Sequence, residues 1–171
     1  MPTKENIGIE IERKYIIKMP DFCLLQSQLS YTRSKITQIY LPSQNGETHR
    51  IRRRIYDDKT ICTETKKIRI DSMSSTEIER EISTNEFESI ATNAKQGTRP
   101  VEKVRHTFIY DGQLFEIDVY GRWKSTAMME AELESREQTV NIPPFIKIIR
   151  EVTGNRSYSN ASMAKEFPKE D

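Results

Sequence analysis

The chain has little of what many catalytic signatures are built from. Its 171 residues include two cysteines, two histidines, one tryptophan and six glycines. Cys23 and Cys62 lie far apart and in no metal-binding spacing, so two reduced thiols are expected rather than a disulfide framework. His49 and His106 are not spaced as metal ligands, and both are expected to be structural or surface side chains. No Gly-x-x-x-x-Gly-Lys loop occurs, which excludes a P-loop enzyme, and no Ser/His/Asp arrangement is discernible. No apolar run could span a bilayer, and no apolar signal region opens the chain. A cytoplasmic protein with no membrane partner is therefore expected. Charge of one sign is also lacking: acids and bases nearly cancel, at a formal net charge of +1. A general nucleic-acid binder would be strongly basic, so nucleic acid is not an expected partner.

What the chain does have is charge in alternation. Charged residues make up 31% of it and hydrophobic residues 35%. In Glu10-Ile11-Glu12-Arg13-Lys14, the strand period of two puts Glu10, Glu12 and Lys14 on one face. The pattern recurs at Arg50, Arg52 and Arg54, and again at Glu77, Glu79 and Glu81. It returns at Lys103 and Arg105, at Glu116 and Asp118, and at Glu130, Glu132 and Glu134. One such strand is explained by a solvated face with cross-strand ion pairs. Six strands, with the sign changing between them, point to an enclosed polar interior. Like charges two apart repel, so the acidic strands call for cations and the basic strands for a polyanion.

The expected fold is α+β and mainly β: an eight-stranded antiparallel barrel with a charged lumen and helices packed outside. The length suits a single domain, residues 1–171, with a tail that frays from about residue 168. The first strand is expected from Gly8 to Ile17, followed by a short helix capped by Asp21. A strand from Ser34 to Leu41 comes next. Hairpins are expected around Asp57-Asp58 and at Asp111-Gly112. Ser83 and Glu86 have capping-box spacing for a helix reaching Ala94 and ended by Gly97. Pro143-Pro144 is expected to start a helix through Phe145, Ile146, Ile148 and Ile149, stopped near Gly154. A short helix around Met163 and Ala164 is expected to follow. Outer apolar faces not covered by helices could be covered by a homodimer contact.

Clustered carboxylates suit hard divalent cations such as Mg²⁺ or Mn²⁺. Clustered Arg and Lys suit phosphate oxygens. Both in one tunnel suggest a metal-bridged polyphosphate, for which positioning and charge neutralisation supply most of the catalysis.

The ordered set of segments resembles the CYTH superfamily, the triphosphate tunnel metalloenzymes, in its bacterial form. Glu10-Ile11-Glu12-Arg13-Lys14 matches the Glu-x-Glu-x-Lys signature. The similarity continues through Gln38-Ile39-Tyr40-Leu41, Arg50-Ile51-Arg52, Glu77-Ile78-Glu79, Glu102-Lys103-Val104-Arg105, Phe115-Glu116-Ile117-Asp118 and Glu130-Ala131-Glu132. It ends with Glu151-Val152-Thr153-Gly154 and Tyr158-Ser159-Asn160. The resemblance implies that Glu10, Glu12, Glu130 and Glu132 hold metal, with Glu116 and Asp118 orienting basic residues or holding a second ion. It implies that Lys14, Arg50, Arg52, Lys103 and Arg105 hold phosphate. Glu77 and Glu79 would orient bases or water, and Lys14 with Tyr40 would form a dyad near the scissile phosphate. Two departures stand out. Ser75 occupies a position where the family often has arginine. Thr63-Glu64-Thr65-Lys66-Lys67 permits two registers, so either Lys66 or Lys67 faces the lumen.

The resemblance implies a metal-dependent hydrolase of tripolyphosphate, ATP or thiamine triphosphate. Two alternatives stay open at this point: an adenylate cyclase making cAMP from ATP, and a polyphosphate- or nucleotide-binding module without catalysis.

Overall fold

The computed structural model describes residues 5–170. Nine strands form one antiparallel sheet. They are β1 (Asn6–Lys18), β2 (Leu29–Leu41), β3 (Glu47–Tyr56), β4 (Lys59–Arg69), β5 (Ser74–Ile82), β6 (Val101–Tyr110), β7 (Gln113–Val119), β8 (Thr126–Glu132) and β9 (Ile148–Glu151). Helix α1 (Phe22–Gln26) follows β1, α2 (Thr84–Ala91) follows β5, and α3 (Asn160–Met163) lies near the C-terminus. A 3-10 turn, Arg156–Tyr158, precedes α3.

The sheet order β5-β4-β3-β2-β6-β7-β8-β1-β9 closes through a further β5–β1 pairing. Eight strands thus form a barrel, with β9 outside the ring. Strand β1 is shared. Its first half, Asn6 to Ile11, pairs with β5, and its second half, Glu12 to Lys18, pairs with β8. Closure removes the exposed edges that an open sheet would leave. The Asp111-Gly112 hairpin is observed, with positive φ at both residues as a tight primed turn requires. Asp21 and Ser83 cap α1 and α2 by accepting from the backbone N–H groups of Cys23 and Glu86.

Three apolar clusters hold the barrel. Leu25 of α1 and Ile146 join Ile17, Phe108, Phe115, Ile117 and Met129 on the outer wall. Phe87 of α2 covers Leu41, Ile51, Cys62 and Ile82 on the opposite side. The third cluster lies inside one end of the barrel. There Ile16, Tyr40, Val101 and Met128 meet Val152, Tyr158, Met163 and Ala164 from the C-terminal segment. The alternation that puts charges in the lumen thus changes to apolar side chains beyond Lys14 and Glu130, and the C-terminal segment seals that end. On the outer wall, Ile7 and Ile9 of β1 and Ile68 of β4 remain exposed.

Several expectations need correcting. Strand β2 begins at Leu29, five residues before Ser34. Helix α2 ends at Ala91, not Ala94, and Gly97 sits in a later turn with φ +75°. No helix forms over 145–149. Ile146 N–H closes a turn on the Pro143 carbonyl, and Ile148–Glu151 pairs with Tyr15 to Ile17 as β9. Where β1 leaves β5, its backbone edge is open, and a β-branched segment satisfies it better than a two-turn helix would. The tail is fastened rather than frayed as far as it is described, with Asp171 lying outside the described residues. Phe167 packs edge-on against Tyr120 and Trp123, and Trp123 Nε1 donates to the Pro168 carbonyl at 3.1 Å. The Glu170 carboxylate accepts from the N–H groups of Lys124, Ser125 and Thr126 at 2.8, 2.5 and 2.9 Å. These bonds, led by that from Lys124, draw its carboxyl down to about 2. Cys23 and Cys62 are both free thiols.

Candidate active site

The lumen opens into a cavity of about 350 Å³ lined from seven barrel strands and the C-terminal segment. Glu10, Glu12, Lys14, Tyr40, Arg50, Arg52, Lys67, Glu77, Lys103, Arg105 and Glu130 all reach it. Alternation on antiparallel strands brings them together: residues two apart along each strand share the inner face, and barrel closure turns that face inward.

Register settles the lysine choice on β4. Lys67 lies opposite Glu77. Its Nζ sits 2.5 Å from Glu10 and 3.1 Å from Glu77. Lys66 points outward and is exposed, which removes it from the phosphate-binding candidates. On the same outer face, Glu64 accepts from His49 at 2.7 Å and from Arg80. His106 is also outside the lumen, bonded through Nδ1 to the Tyr31 hydroxyl.

Beyond the Lys67 cluster, two ion-pair systems linked through Glu130 organise the interior. The deeper one centres on Asp118, buried at 1% exposure. It accepts from Arg105 on both oxygens and from Lys103 at 2.5 Å. Arg105 also reaches Glu130 at 2.9 Å and Glu116. Asp118 and Glu116 are therefore placed to orient basic side chains, with Asp118's oxygens already committed. Burial and the neighbouring Arg105 push the Lys103 ammonium down to about 8, against the pull of Asp118. The second system centres on Lys14, whose Nζ lies 2.8 Å from Glu130 and 3.5 Å from Glu12. Burial opposes its charge, but Glu130 and Glu12 outweigh burial and hold it protonated. No Lys14–Tyr40 bond is found among the described residues. Tyr40 lies beside Arg50, and burial raises its phenol, so it stays protonated.

The acids facing the cavity carry the opposite strain. Burial, then Glu130, raises the Glu12 carboxyl. Burial, then Glu116 and Glu10, pushes Glu132 up to about 7. Glu10, Glu12, Glu130 and Glu132 are hard oxygen donors on two neighbouring strands, crowded enough to repel. Among the described residues no three acids already converge into a cation cage. The donor chemistry nonetheless fits Mg²⁺ or Mn²⁺, which take carboxylates together with water and phosphate oxygens. Glu77 differs: Arg50 and Lys67 overcome burial and hold it below the usual carboxylate range. Glu79 accepts from Thr65 at 2.7 Å. With Glu10, Glu77 and Glu132 it lines a second, smaller cavity of about 250 Å³. Glu134 lies beyond the end of β8, exposed.

Arg52 has no partner of opposite charge within 4 Å among the described residues, and its buried Nε lacks a hydrogen bond. Burial, then Arg50 and Arg105, pushes it down to about 10. The Nε of Arg50 is likewise unsatisfied.

Some residues of the interior and of the cavity wall escaped the sequence reading. Arg54, which pairs weakly with Glu116 and bonds Ser34, stood in the alternation but had no role assigned. Arg69, Asn155, Arg156 and Ser162 line the cavity from a strand end, the turn after β9 and the short helix α3, where no strand period marks them.

No protein-family model matches the chain, and no curated protein matches it. Solved structures do. The inorganic triphosphatase NE1496 is similar at a TM-score of 0.59 and 29% identity, over 94% of this chain and 97% of that one. The PH1819 protein from Pyrococcus horikoshii OT3 shares the fold at a TM-score of 0.57 and 20% identity, over 75% and 80%. A candidate adenylate cyclase from Bacillus halodurans shares it at 0.52 and 16%, over 77% and 83%. The closed barrel with ordered charged faces inside it is thus a fold shared with NE1496 over nearly the full length of both chains, in keeping with the resemblance of its motifs to the CYTH superfamily.

Proposed function

We propose that the chain is a divalent-metal-dependent triphosphatase, acting on inorganic tripolyphosphate or a nucleoside triphosphate. One observation carries the reading. Arg52 is an enclosed guanidinium with no anion within 4 Å among the described residues, beside Arg50 with an unsatisfied Nε. Unpaired buried charge is costly, and a phosphate oxygen in the fork of each would relieve it. The likeness to a triphosphatase at 29% identity supports the same substrate class.

In this reading Arg50, Arg52, Lys67, Lys103 and Arg105 hold the phosphate chain. Mg²⁺ or Mn²⁺, held by Glu10, Glu12, Glu130 and Glu132, would neutralise phosphate charge and polarise a phosphoryl oxygen. A water oxygen forms the new bond to phosphorus as the bridging P–O bond breaks; the departing phosphate keeps the electron pair and takes up, through solvent, the proton that the attacking water loses. Glu77 stays ionised, so it can accept a hydrogen bond from that water and orient it, with Glu79 as its neighbour. Lys14 and Tyr40 both stay protonated, so they serve as donors to phosphate oxygens rather than as an activating base.

The test is product analysis with tripolyphosphate, ATP and thiamine triphosphate, each with Mg²⁺ or Mn²⁺ and with chelator. Metal-dependent release of orthophosphate is expected. Release of cAMP and pyrophosphate from ATP would make the chain a cyclase, and binding without turnover would make it a binding module. Lys14→Ala should lower turnover by roughly a hundredfold, as loss of a charged donor to a developing oxyanion does. An unchanged rate would remove Lys14 from the chemistry.

A further inference from the structure

The segment after β9 repeats two motifs of the sequence, Glu151-Val152-Thr153-Gly154 and Tyr158-Ser159-Asn160, that the proposed chemistry leaves unused. Its position is fixed by many bonds. The Lys14 N–H donates to Thr153 Oγ1 at 3.0 Å, and Val152 N–H donates to the Lys14 carbonyl at 2.8 Å. Asn160 Oδ1 accepts from the Tyr120 hydroxyl at 2.8 Å. Arg69 donates to the Gly154 carbonyl at 3.2 Å and to the Asp71 carbonyl at 2.7 Å. The segment therefore forms a fixed wall of the main cavity where β1 and β5 part.

Arg156 lines the cavity from this wall, and its side chain has no hydrogen bond or ion pair among the described residues. Most other polar groups nearby are engaged. Asp71 is bound by Ser74, Met73 and Arg136. Asn155 caps Ser157, and Ser159 bonds the Arg156 carbonyl and Ser162. Ser75, opposite Glu10 and Arg69 in the two strand ladders, contributes no charge on the facing side. Tyr40 is the one aromatic side chain lining this cavity among the described residues, and it is buried at 5% exposure. Among the described residues that line the cavity, none presents an exposed ring on which a purine could stack.

We propose that Arg156 is a specificity-determining contact for the substrate of the proposed triphosphatase, engaging the end of the phosphate chain that projects toward the rim. The group selected there is another phosphate rather than a nucleoside, so the favoured substrate is a linear inorganic polyphosphate. This rests on the triphosphatase reading above. An exposed guanidinium that ends on a phosphate contributes to binding of both substrate and transition state, so its loss raises KM more than it lowers kcat.

The experiment compares wild type with Arg156→Gln and Arg156→Lys, using tripolyphosphate, tetrapolyphosphate and ATP. Binding is measured by calorimetry with Ca²⁺ in place of the activating ion, and turnover with Mg²⁺. Arg156→Gln is expected to weaken tripolyphosphate and tetrapolyphosphate roughly tenfold in Kd and KM, the scale of one charge-assisted contact partly open to water. Its kcat should stay within about twofold and its ATP constants should not move. Arg156→Lys should recover part of the loss, since a point charge replaces the fork. Equal effects on ATP and tripolyphosphate, or none on either, would overturn the proposal while leaving the triphosphatase reading intact. No binding or turnover of any triphosphate by wild type would sink both.

Discussion

His106 is a residue whose place outside the lumen gives it a measurable signature. It is buried at 4% exposure, bonded to Tyr31 at 2.9 Å and faced by the Phe22 ring at 5.0 Å. Burial, then Arg33, lowers its imidazolium to about 4, although Asp118 pulls the other way. The unfolded chain therefore takes up this proton first, near pH 6.5. Stability present above that value is lost as the pH falls toward 4. His106→Gln should flatten this part of the curve of Tm against pH relative to wild type, and parallel curves would refute the assignment. The expectation that both histidines are structural or surface groups was legible from spacing alone. The β4 lysines were not. Lys66 and Lys67 are adjacent, each fits one parity, and only the ladder partner Glu77 decides between them. Parity is a property of the pair of strands, and a single strand carries too little of it.

Among the elements, the C-terminal wall turns on Gly154. Its φ of +75° is unfavourable for any residue with a Cβ, and a Cβ there would meet Ser72 Cβ at 3.0 Å. Gly154→Ala is expected to cost about 1–2 kcal/mol in denaturant unfolding, from backbone strain plus the close contact. A change below about 0.3 kcal/mol would mean that the wall relaxes freely. This region was also where the sequence was hardest to read. The charged strands declared themselves by a period of two, and the hairpin at Asp111-Gly112 by turn chemistry. Ile146, Ile148 and Ile149 fit either a short helix or a strand. The outcome rests on the open edge of β1 at Tyr15 to Ile17, more than a hundred residues away in the chain. The length of β2 before Ser34 was hidden for a similar reason: Leu29 to Arg33 is held by β6, including Leu29 opposite Ile109.

At the scale of the whole molecule, the lumen collects cations and acids that repel within each set, and the barrel must hold both. A ligand that neutralises them binds the folded state alone and stabilises it by mass action. Tripolyphosphate with Mg²⁺ at about a hundred times its Kd should therefore add about 2.7 kcal/mol and raise Tm by several degrees. Arg52→Gln should shrink that shift, because the enclosed guanidinium no longer calls for the anion. An unshifted Tm in wild type would count against a polyanion site in the lumen. The clamp between Lys14 and Thr153 has a further consequence, for synthesis. The two residues are 139 positions apart, and contacts so distant in sequence form late. During translation the first strand leaves the ribosome long before the segment that fastens its second half. The nascent barrel must wait with β1 held on one side only. The signature lysine thus acquires its final backbone setting only once Thr153 has emerged, so a chain halted before that residue cannot present a complete site.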